Sequence, residues 1–160
     1  ADFGNLSVIS IYIPSGSAKQ ERQDYKMDFM TERFMPYLEE LQKDGREYII
    51  CGDINIVHKK IDIKNFNGNK NRSGCLPEER AWLDQLFGEA GFIDAFREIN
   101  QEADQYTWWS NRGQAWANNT GWRIDYHILS ANLKGTPQRA EVYKDERFSD
   151  HSPLIIDYDF

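Results

Sequence analysis

The 160 residues are enough for one domain with its own core, and an aromatic content of 14% favours a folded chain over a disordered one. The net charge of −7 argues against nucleic-acid binding through overall charge. No apolar run approaches membrane-spanning length and none resembles a signal peptide. Two cysteines, Cys51 and Cys75, lack metal-type spacing and are interpreted as free thiols. We therefore expect a cytoplasmic protein without membrane contacts.

The first half of the chain predicts a strand, a long helical segment and a second strand. Residues 6–13 alternate, with isoleucines on one face, and predict a strand. Residues 20–43 carry apolar side chains at helical spacing, and Pro36 predicts a kink or two separate helices. The short apolar run 48–51 predicts a buried strand.

The second half alternates loops with shorter elements. A long polar loop covers 58–77, and a helix with an apolar face begins at Pro77. A second loop, 110–121, is rich in glycine and asparagine. Further strands are predicted at 92–96, 122–129, 141–143 and 154–158. Strands alternating with two helical segments predict an α/β sandwich of mixed sheets, formed by residues 1–160 as a single domain.

The buried strand at 48–51 leads directly into Gly52-Asp53-Ile54-Asn55. A carboxylate and a carboxamide two residues apart can point into one cleft. Function often collects on the loops that follow strands. The alternative is an ordinary turn, because Asp and Asn are favoured in turns.

Three further polar positions lie at or just beyond predicted strand ends: Tyr12, Asp125 and the pair Asp150-His151. Alternation puts Arg123 and Asp125 on one face of a strand, where they can be functional or form a surface ion pair. Asp150 can likewise be a turn residue. A histidine flanked by aspartate is suited to activating water or holding a metal.

Six motifs together resemble the C-terminal part of the exonuclease III family of abasic-site (AP) endonucleases, in the endonuclease/exonuclease/phosphatase superfamily. Gly-Asp-x-Asn alone is weak and Ser-Asp-His is shared across the superfamily, whereas the two tryptophan segments are specific to the AP-endonuclease branch. In chain order the motifs are Tyr12-Ile13-Pro14-Ser15-Gly16, Gly52-Asp53-Ile54-Asn55, Leu76-Pro77-Glu78-Glu79-Arg80, Tyr106-Thr107-Trp108-Trp109, Gly121-Trp122-Arg123-Ile124-Asp125-Tyr126 and Ser149-Asp150-His151-Ser152-Pro153.

The resemblance implies part of a four-layer α/β sandwich with mixed, largely antiparallel β-sheets. It also implies a DNA-repair phosphodiesterase that depends on Mg²⁺, with Mn²⁺ as the alternative ion. The expected activities are those of a 3′–5′ exonuclease and an AP endonuclease that cleaves 5′ to abasic sites. The expected partner is double-stranded DNA with abasic sites or 3′ ends.

Roles for five residues follow from the same resemblance. Asp53 orients or deprotonates the attacking water, and Asn55 helps to hold it. His151 contacts the scissile phosphate and is oriented by Asp125, whose carboxylate favours the protonated imidazole. Tyr12 supports the phosphate and its developing charge.

The resemblance also implies a metal site and a sugar pocket. The metal ligands are Asp150, Asp53 and Asn55. The pocket, which is too small for a base and receives a flipped-out abasic sugar, is assigned to Trp108, Trp122 and Ile124. Ordinary core packing is the alternative for these tryptophans. Simple alternation along 122–129 does not put Trp122, Ile124 and Asp125 on one face.

Four basic residues are candidates for DNA contacts: Lys59, Lys60, Arg72 and Arg112. The first three belong to a locally basic loop, which can also be a solvated loop without a partner. Arg112, in the loop 110–121 that follows Trp108-Trp109 (the tryptophan loop), is the candidate residue to wedge into the duplex.

Members of the family are longer at the N-terminus, where they supply opening strands, a metal-binding Glu and an active-site Asn. We therefore expect this chain to be a truncated and poorly active form that self-associates through exposed strand edges. Two alternative functions remain open: a superfamily relative that hydrolyses another phosphoester, and a non-catalytic fragment that binds DNA.

Overall fold

A mixed five-stranded sheet lies at the centre of the computed structural model, which describes residues 1–17 and 19–160. Its strands are β1 (Asp2–Phe3), β2 (Leu6–Tyr12), β3 (Glu47–Asp53), β4 (Ile93–Asp94) and β7 (Asp125–Leu129). In the sheet order β1-β2-β3-β7-β4, only the pair β2 and β3 is parallel, and the other pairs are antiparallel. The two edge strands, β1 and β4, have two residues each.

Two antiparallel pairs of strands complete the sheets. One joins β5 (Trp108–Trp109) to β6 (Gly121–Trp122), and the other joins β8 (Pro137–Val142) to β9 (Leu154–Tyr158). The predicted α/β class with mixed, largely antiparallel sheets is confirmed.

The predicted division of the first helical segment is also confirmed. Helix α1 (Gln20–Phe29) continues as a π-helical turn (Met30–Phe34) and then as α2 (Met35–Lys43). Pro36 has no amide hydrogen, so it cannot donate to the carbonyl one turn earlier in an α-helix, and the wider turn lies directly before it.

The remaining helices are short except one, and none of the helices within residues 1–17 and 19–160 is long and apolar enough to cross a membrane. Two one-turn segments lie inside the predicted polar loop 58–77, which is therefore partly helical. The elements are a 3₁₀ turn (Lys60–Asp62), α3 (Phe66–Asn69), α4 (Pro77–Phe87), α5 (Ala95–Ile99) and a second 3₁₀ turn (Ala131–Leu133).

The main core lies between the central sheet and helices α1, α2 and α4. Ile9, Ile11 and Ile13 face it together, as the alternation of 6–13 predicts. Leu38 of α2 and Leu83 of α4 are fully buried there. The opposite face of the sheet packs on a second cluster. This arrangement brings the last residues of β2 and β3 and the first residue of β7 to the same end of the sheet.

The strand predicted at 92–96 is wrong in extent. Only Ile93–Asp94 is extended, and the helix Ala95–Ile99 follows at once. The Asp94 carboxylate accepts a hydrogen bond from the Arg97 amide, 3.3 Å away. Such a cap starts a helix where the apolar pattern alone predicts a strand.

The strand predicted at 122–129 is interrupted between Trp122 and Asp125. There the Arg123 amide donates to the carbonyl of Asp62, and the Ile124 carbonyl accepts from the Ile54 amide. Ile124 thus continues the pairing of β7 with β3, whereas Arg123 continues the bridge between Trp122 and Ile63, so the chain changes its partner between these two residues. This break explains why Trp122 and Ile124 do not follow the alternation that Asp125 begins.

Candidate active site

Strand register brings three of the predicted residues together. Tyr12 is the direct partner of Asp53 in the parallel pair, and Asp53 is the direct partner of Asp125 in the antiparallel pair. The three residues therefore lie side by side on neighbouring strands, at one end of the central sheet. Tyr12 is the most exposed of them, with 64% of its surface accessible.

Gly52 is required by this arrangement, although the sequence indicated only that it belongs to a motif. Its φ is +147°, and a Cβ atom there would lie 1.8 Å from the carbonyl oxygen of Ile11. No side chain fits between the two strands at that point. The glycine thus allows β2 and β3 to approach each other beside Asp53.

Asn55 turns the chain back towards Asp53. Its φ is +55°, in the left-handed region that Asn tolerates better than most residues. Its amide donates to Asp53 Oδ1 at 2.8 Å, as in an Asx turn, while its Nδ2 donates to Asp53 Oδ2 at 2.9 Å and to the Ile13 carbonyl at 2.8 Å. These residues therefore form the turn that was the alternative interpretation, and Asn55 also lines the cleft described below.

His151 joins the group from the loop before β9. Its Nδ1 lies 2.9 Å from Asp125 Oδ2, and its Nε2 lies 4.0 Å from Asp53 Oδ2. An isolated antiparallel bridge between Trp108 and His151 connects this loop to β5. The resemblance implies that Asp125 orients His151, and the structure places the two side chains within hydrogen-bond distance.

Arg123 does not pair with Asp125, so the surface ion pair considered from the sequence is wrong. Its guanidinium is fully buried and lies 2.7 Å from both Asp62 and Asp94. Arg97 reaches the same Asp62 carboxylate at 2.6 Å. The Asp125 carboxylate is thereby left to His151.

The environment raises the pKa of two groups, which favours the neutral form of Asp53 and the charged form of His151. Burial, and then the neighbouring Asp125 carboxylate, raise the pKa of Asp53 from 3.8 to about 6. The hydrogen bond with Asp125 raises the pKa of His151 above its usual 6.5. The site therefore combines a carboxylate of raised basicity with an imidazole whose protonated form is favoured.

Within residues 1–17 and 19–160, one group of donors has the spacing of a metal site. Ligand atoms of Asp53, Asp125 and His151 lie within 4.8 Å of one another. Burial and the Asp125 carboxylate both disfavour the charged form of Asp53, and a divalent cation would offset this effect. Carboxylate oxygens suit Mg²⁺ and Mn²⁺. Of the three predicted ligands, Asp53 belongs to this group, and Asn55 is hydrogen-bonded to Asp53.

Asp150, the third predicted ligand, is held at the side of the group. Its Oδ2 accepts a hydrogen bond from the indole Nε1 of Trp108 at 3.0 Å. Its carbonyl accepts from the Trp109 amide at 2.9 Å. The carboxylate is therefore tied to the wall of the neighbouring cleft.

A cleft of about 730 Å³ opens beside these polar groups. Its lining includes Trp108, Trp122 and Ile124 together with Asn55 and His151. The two indoles meet edge to face, with ring centroids 6.0 Å apart. Both are half-buried and pack on an apolar cluster beneath, so they serve the core and the cleft at once.

The four basic candidates are dispersed. Arg72 lines the cleft. Lys59 forms an ion pair with Asp84, Lys60 begins the adjoining 3₁₀ turn, and Arg112 lies in the exposed part of the tryptophan loop. Lys19 also lines the cleft and was not singled out by the sequence, because one lysine at a helix start carries no pattern.

Comparisons with known proteins identify the family of this chain. The profile of the Endonuclease/Exonuclease/phosphatase family matches residues 22–151. An exodeoxyribonuclease of Bacillus subtilis is 38% identical over 156 residues, which are 97% of this chain and 61% of that protein. The DNA repair nuclease APEX1 of Danio rerio is 37% identical over 158 residues, 98% of this chain and 50% of that protein.

Solved structures share the fold. An AP endonuclease from Archaeoglobus fulgidus superposes with a TM-score of 0.87 at 26% identity, covering 98% of this chain and 63% of that one. A 3′ phosphatase from Neisseria bound to product DNA gives a TM-score of 0.89 at 23% identity, covering 98% and 62%, and supports the fold alone. The chain thus spans about half to three fifths of the length of these relatives. It belongs to the Endonuclease/Exonuclease/phosphatase family.

Proposed function

We propose that the protein is a Mg²⁺-dependent DNA-repair phosphodiesterase, acting as a 3′–5′ exonuclease and as an AP endonuclease that cleaves 5′ to abasic sites. One observation carries the proposal. Asp53, Asp125 and His151 converge at the rim of a cleft whose wall is formed by Trp108 and Trp122. A phosphate at the polar group would place its sugar against the aromatic wall.

Asp53 is the base for the attacking water. Its carboxylate, with a pKa of about 6 in the metal-free protein, is ionised at pH 7–8 and can accept a proton from water. Asn55 fixes the carboxylate through two hydrogen bonds, to Oδ1 and Oδ2. Orienting the water in this way lowers the entropic part of the barrier.

His151 stabilises the phosphate. Its Nδ1–H donates to Asp125, so its Nε2–H points away from that bond and is available to a phosphate oxygen. The Asp125 carboxylate keeps the imidazole protonated, which supplies positive charge as the phosphorane forms. A divalent cation held by Asp53 and its neighbours would neutralise the other phosphate oxygens.

The aromatic wall selects the lesion. An abasic sugar that leaves the duplex can lie against the apolar surfaces of Trp108, Trp122 and Ile124. Arg72 and Lys19 at the rim supply positive charge for the DNA backbone in a chain whose overall charge is negative. We also propose a cytoplasmic location, where the free thiols of Cys51 and Cys75 would stay reduced.

The test is incision of an end-labelled duplex that contains one abasic analogue, with Mg²⁺, with Mn²⁺ and with chelator. We expect weak cleavage 5′ to the lesion, which chelator abolishes. Asp53→Ala should lower the rate by about 10²- to 10⁴-fold, the range for loss of a general base. Asp28→Ala, which removes an exposed carboxylate from α1, is the matched control and should leave it unchanged.

Other outcomes would point elsewhere. Salt-dependent binding of the abasic duplex without cleavage would favour the non-catalytic alternative. Equal turnover of unrelated phosphoesters would favour a different superfamily activity. Self-association through sheet edges stays a prediction; light scattering at high concentration tests it, and a monomer there would contradict it.

A further inference from the structure

A lysine is completely buried behind the Asp53–Asn55 turn. Lys26, in the middle of α1, has no exposed surface. Its ammonium lies 2.6 Å from Glu79 Oε1 of α4, which is equally buried, and donates to the Asn55 carbonyl at 3.0 Å. One cation thus connects two helices to the backbone of a residue in the candidate active site.

Glu79 connects the same cation to the wall of the cleft. Its Oε2 accepts from the amides of Gly74 and Leu76, at 2.7 and 3.0 Å. Its Oε1 also accepts from Gln23 Nε2 at 3.0 Å. Gly74 and Leu76 line the cleft, so the carboxylate fixes this segment relative to Lys26.

Asn55 is held from two sides. Its side-chain and backbone N–H groups bind Asp53 and the Ile13 carbonyl, and Lys26 holds its carbonyl. The left-handed conformation of Asn55 is unfavourable for an L-residue unless surrounding contacts maintain it. The bond from Lys26 is such a contact.

Stability alone does not account for this pair. Burial lowers the pKa of Lys26, which reflects the cost of removing its ammonium from water, and Glu79 only partly offsets that effect. Replacing a buried ion pair by apolar residues is often neutral or stabilising. A charged pair directly beneath Asn55 is therefore better explained by the position it imposes.

We propose that Lys26 and Glu79 are positioning residues for the reaction: Lys26 fixes Asn55 and, through it, the Asp53 carboxylate, while Glu79 fixes Lys26 and the cleft segment 73–76. The inference rests on the proposed phosphodiester hydrolysis for its kinetic consequence. Its structural consequence, a fixed Asn55 side chain, can be measured without turnover.

The test compares Lys26→Met, which keeps the stem and removes the donor, with Lys26→Arg, Glu79→Gln and the core variant Leu38→Ala. Leu38 is fully buried in the main core and forms none of the hydrogen bonds that hold Asn55, so its variant controls for lost stability. Three quantities are measured: kcat and KM on abasic duplex, Mn²⁺ affinity by electron paramagnetic resonance, and the NMR shifts of the Asn55 side-chain amide.

We expect Lys26→Met to lower kcat or Mn²⁺ affinity by about 10- to 100-fold, the range for residues that support ligands, with KM changed little. The two Asn55 amide proton shifts should move towards those of a free side chain. Lys26→Arg should restore part of each effect, Glu79→Gln should give an intermediate one, and Leu38→Ala should lower Tm alone.

Unchanged kcat, Mn²⁺ affinity and Asn55 shifts in folded Lys26→Met would overturn the proposal. So would equal losses in Lys26→Met and Leu38→Ala at matched Tm. If Lys26→Met does not fold, Glu79→Gln and Lys26→Arg decide by the same criteria. If the wild-type protein does not cleave DNA, the proposed function fails, whereas the Asn55 shifts still decide the positioning role.

Discussion

The Nδ1 atom of His151 lies 2.9 Å from Oδ2 of Asp125, across 26 residues of sequence. The contact joins the loop before β9 to the first residue of β7, and so to the partner of Asp53 in the sheet. It holds the imidazole in one orientation and favours its protonated form. The acidity of His151 is therefore the most direct measure of whether the site is assembled.

Asp125→Asn should lower the pKa of His151 towards its usual 6.5, because the hydrogen bond to a carboxylate is the main cause of the raised value. NMR titration of the imidazole measures it. In the wild-type protein the raised pKa contributes stability below about pH 6.5, and this contribution is lost as pH rises through the folded-state pKa. The variant should lose stability at pH 5 and little at pH 9. Asp157→Asn, on the exposed hairpin, is the control and should not move the titration.

Asp53→Asn should stabilise the protein in the absence of metal. The folded-state pKa of about 6 exceeds 3.8, so ionising Asp53 destabilises the folded state, progressively from about pH 4 to pH 6. Above pH 7 the variant should gain about 1–3 kcal/mol in the free energy of unfolding, and near pH 3.5 it should gain nothing. Urea denaturation at the two pH values measures this. An equal effect at both would show that ionisation of Asp53 is not the cause.

The strand pattern and the motifs predicted much of this site. The apolar run before Gly52 places Asp53 at a strand end, and alternation correctly faces Ile9 and Ile11 to the core. The order of motifs identified the family. These signals are local or are carried by short segments, so one sequence contains them.

What the sequence did not reveal depends on contacts between distant segments. Arg123 and Asp62 are 61 residues apart, and nothing in their local pattern pairs them. Lys26 and Glu79 are 53 residues apart, and each lies on a helix where a charged residue normally faces solvent. Gly52 required knowledge of how closely Ile11 passes. Burial of charge and close backbone approach are tertiary properties.

Arg123→Met should destabilise the protein by about 3–5 kcal/mol, because it leaves the buried carboxylates of Asp62 and Asp94 without their shared cation. Arg139→Met is the matched control. Its side chain is 59% exposed and its ion pair with Asp157 is on the surface, so the loss should stay below about 1 kcal/mol. Urea denaturation at pH 7 measures both. Similar losses would show that Arg97 alone neutralises Asp62.

Trp108→Phe and Trp122→Phe should separate the two functions of the aromatic wall. Each shortens an apolar surface of the cleft, so both should weaken discrimination between abasic and intact duplex. Only Trp108 donates its indole N–H to the Asp150 carboxylate, and phenylalanine cannot replace that bond. If Asp150 helps to hold the metal, losing the bond leaves its carboxylate less well oriented.

We therefore expect Trp108→Phe alone to raise the Mg²⁺ concentration at half-maximal cleavage, by about 10-fold. Trp122→Phe should leave that concentration unchanged while its affinity for abasic duplex falls. Titrating Mg²⁺ at saturating duplex measures the first effect, and binding in chelator measures the second. The same Mg²⁺ dependence in both variants would mean that Asp150 acts only as an anchor for Trp108, and that the metal is held by the group around Asp53.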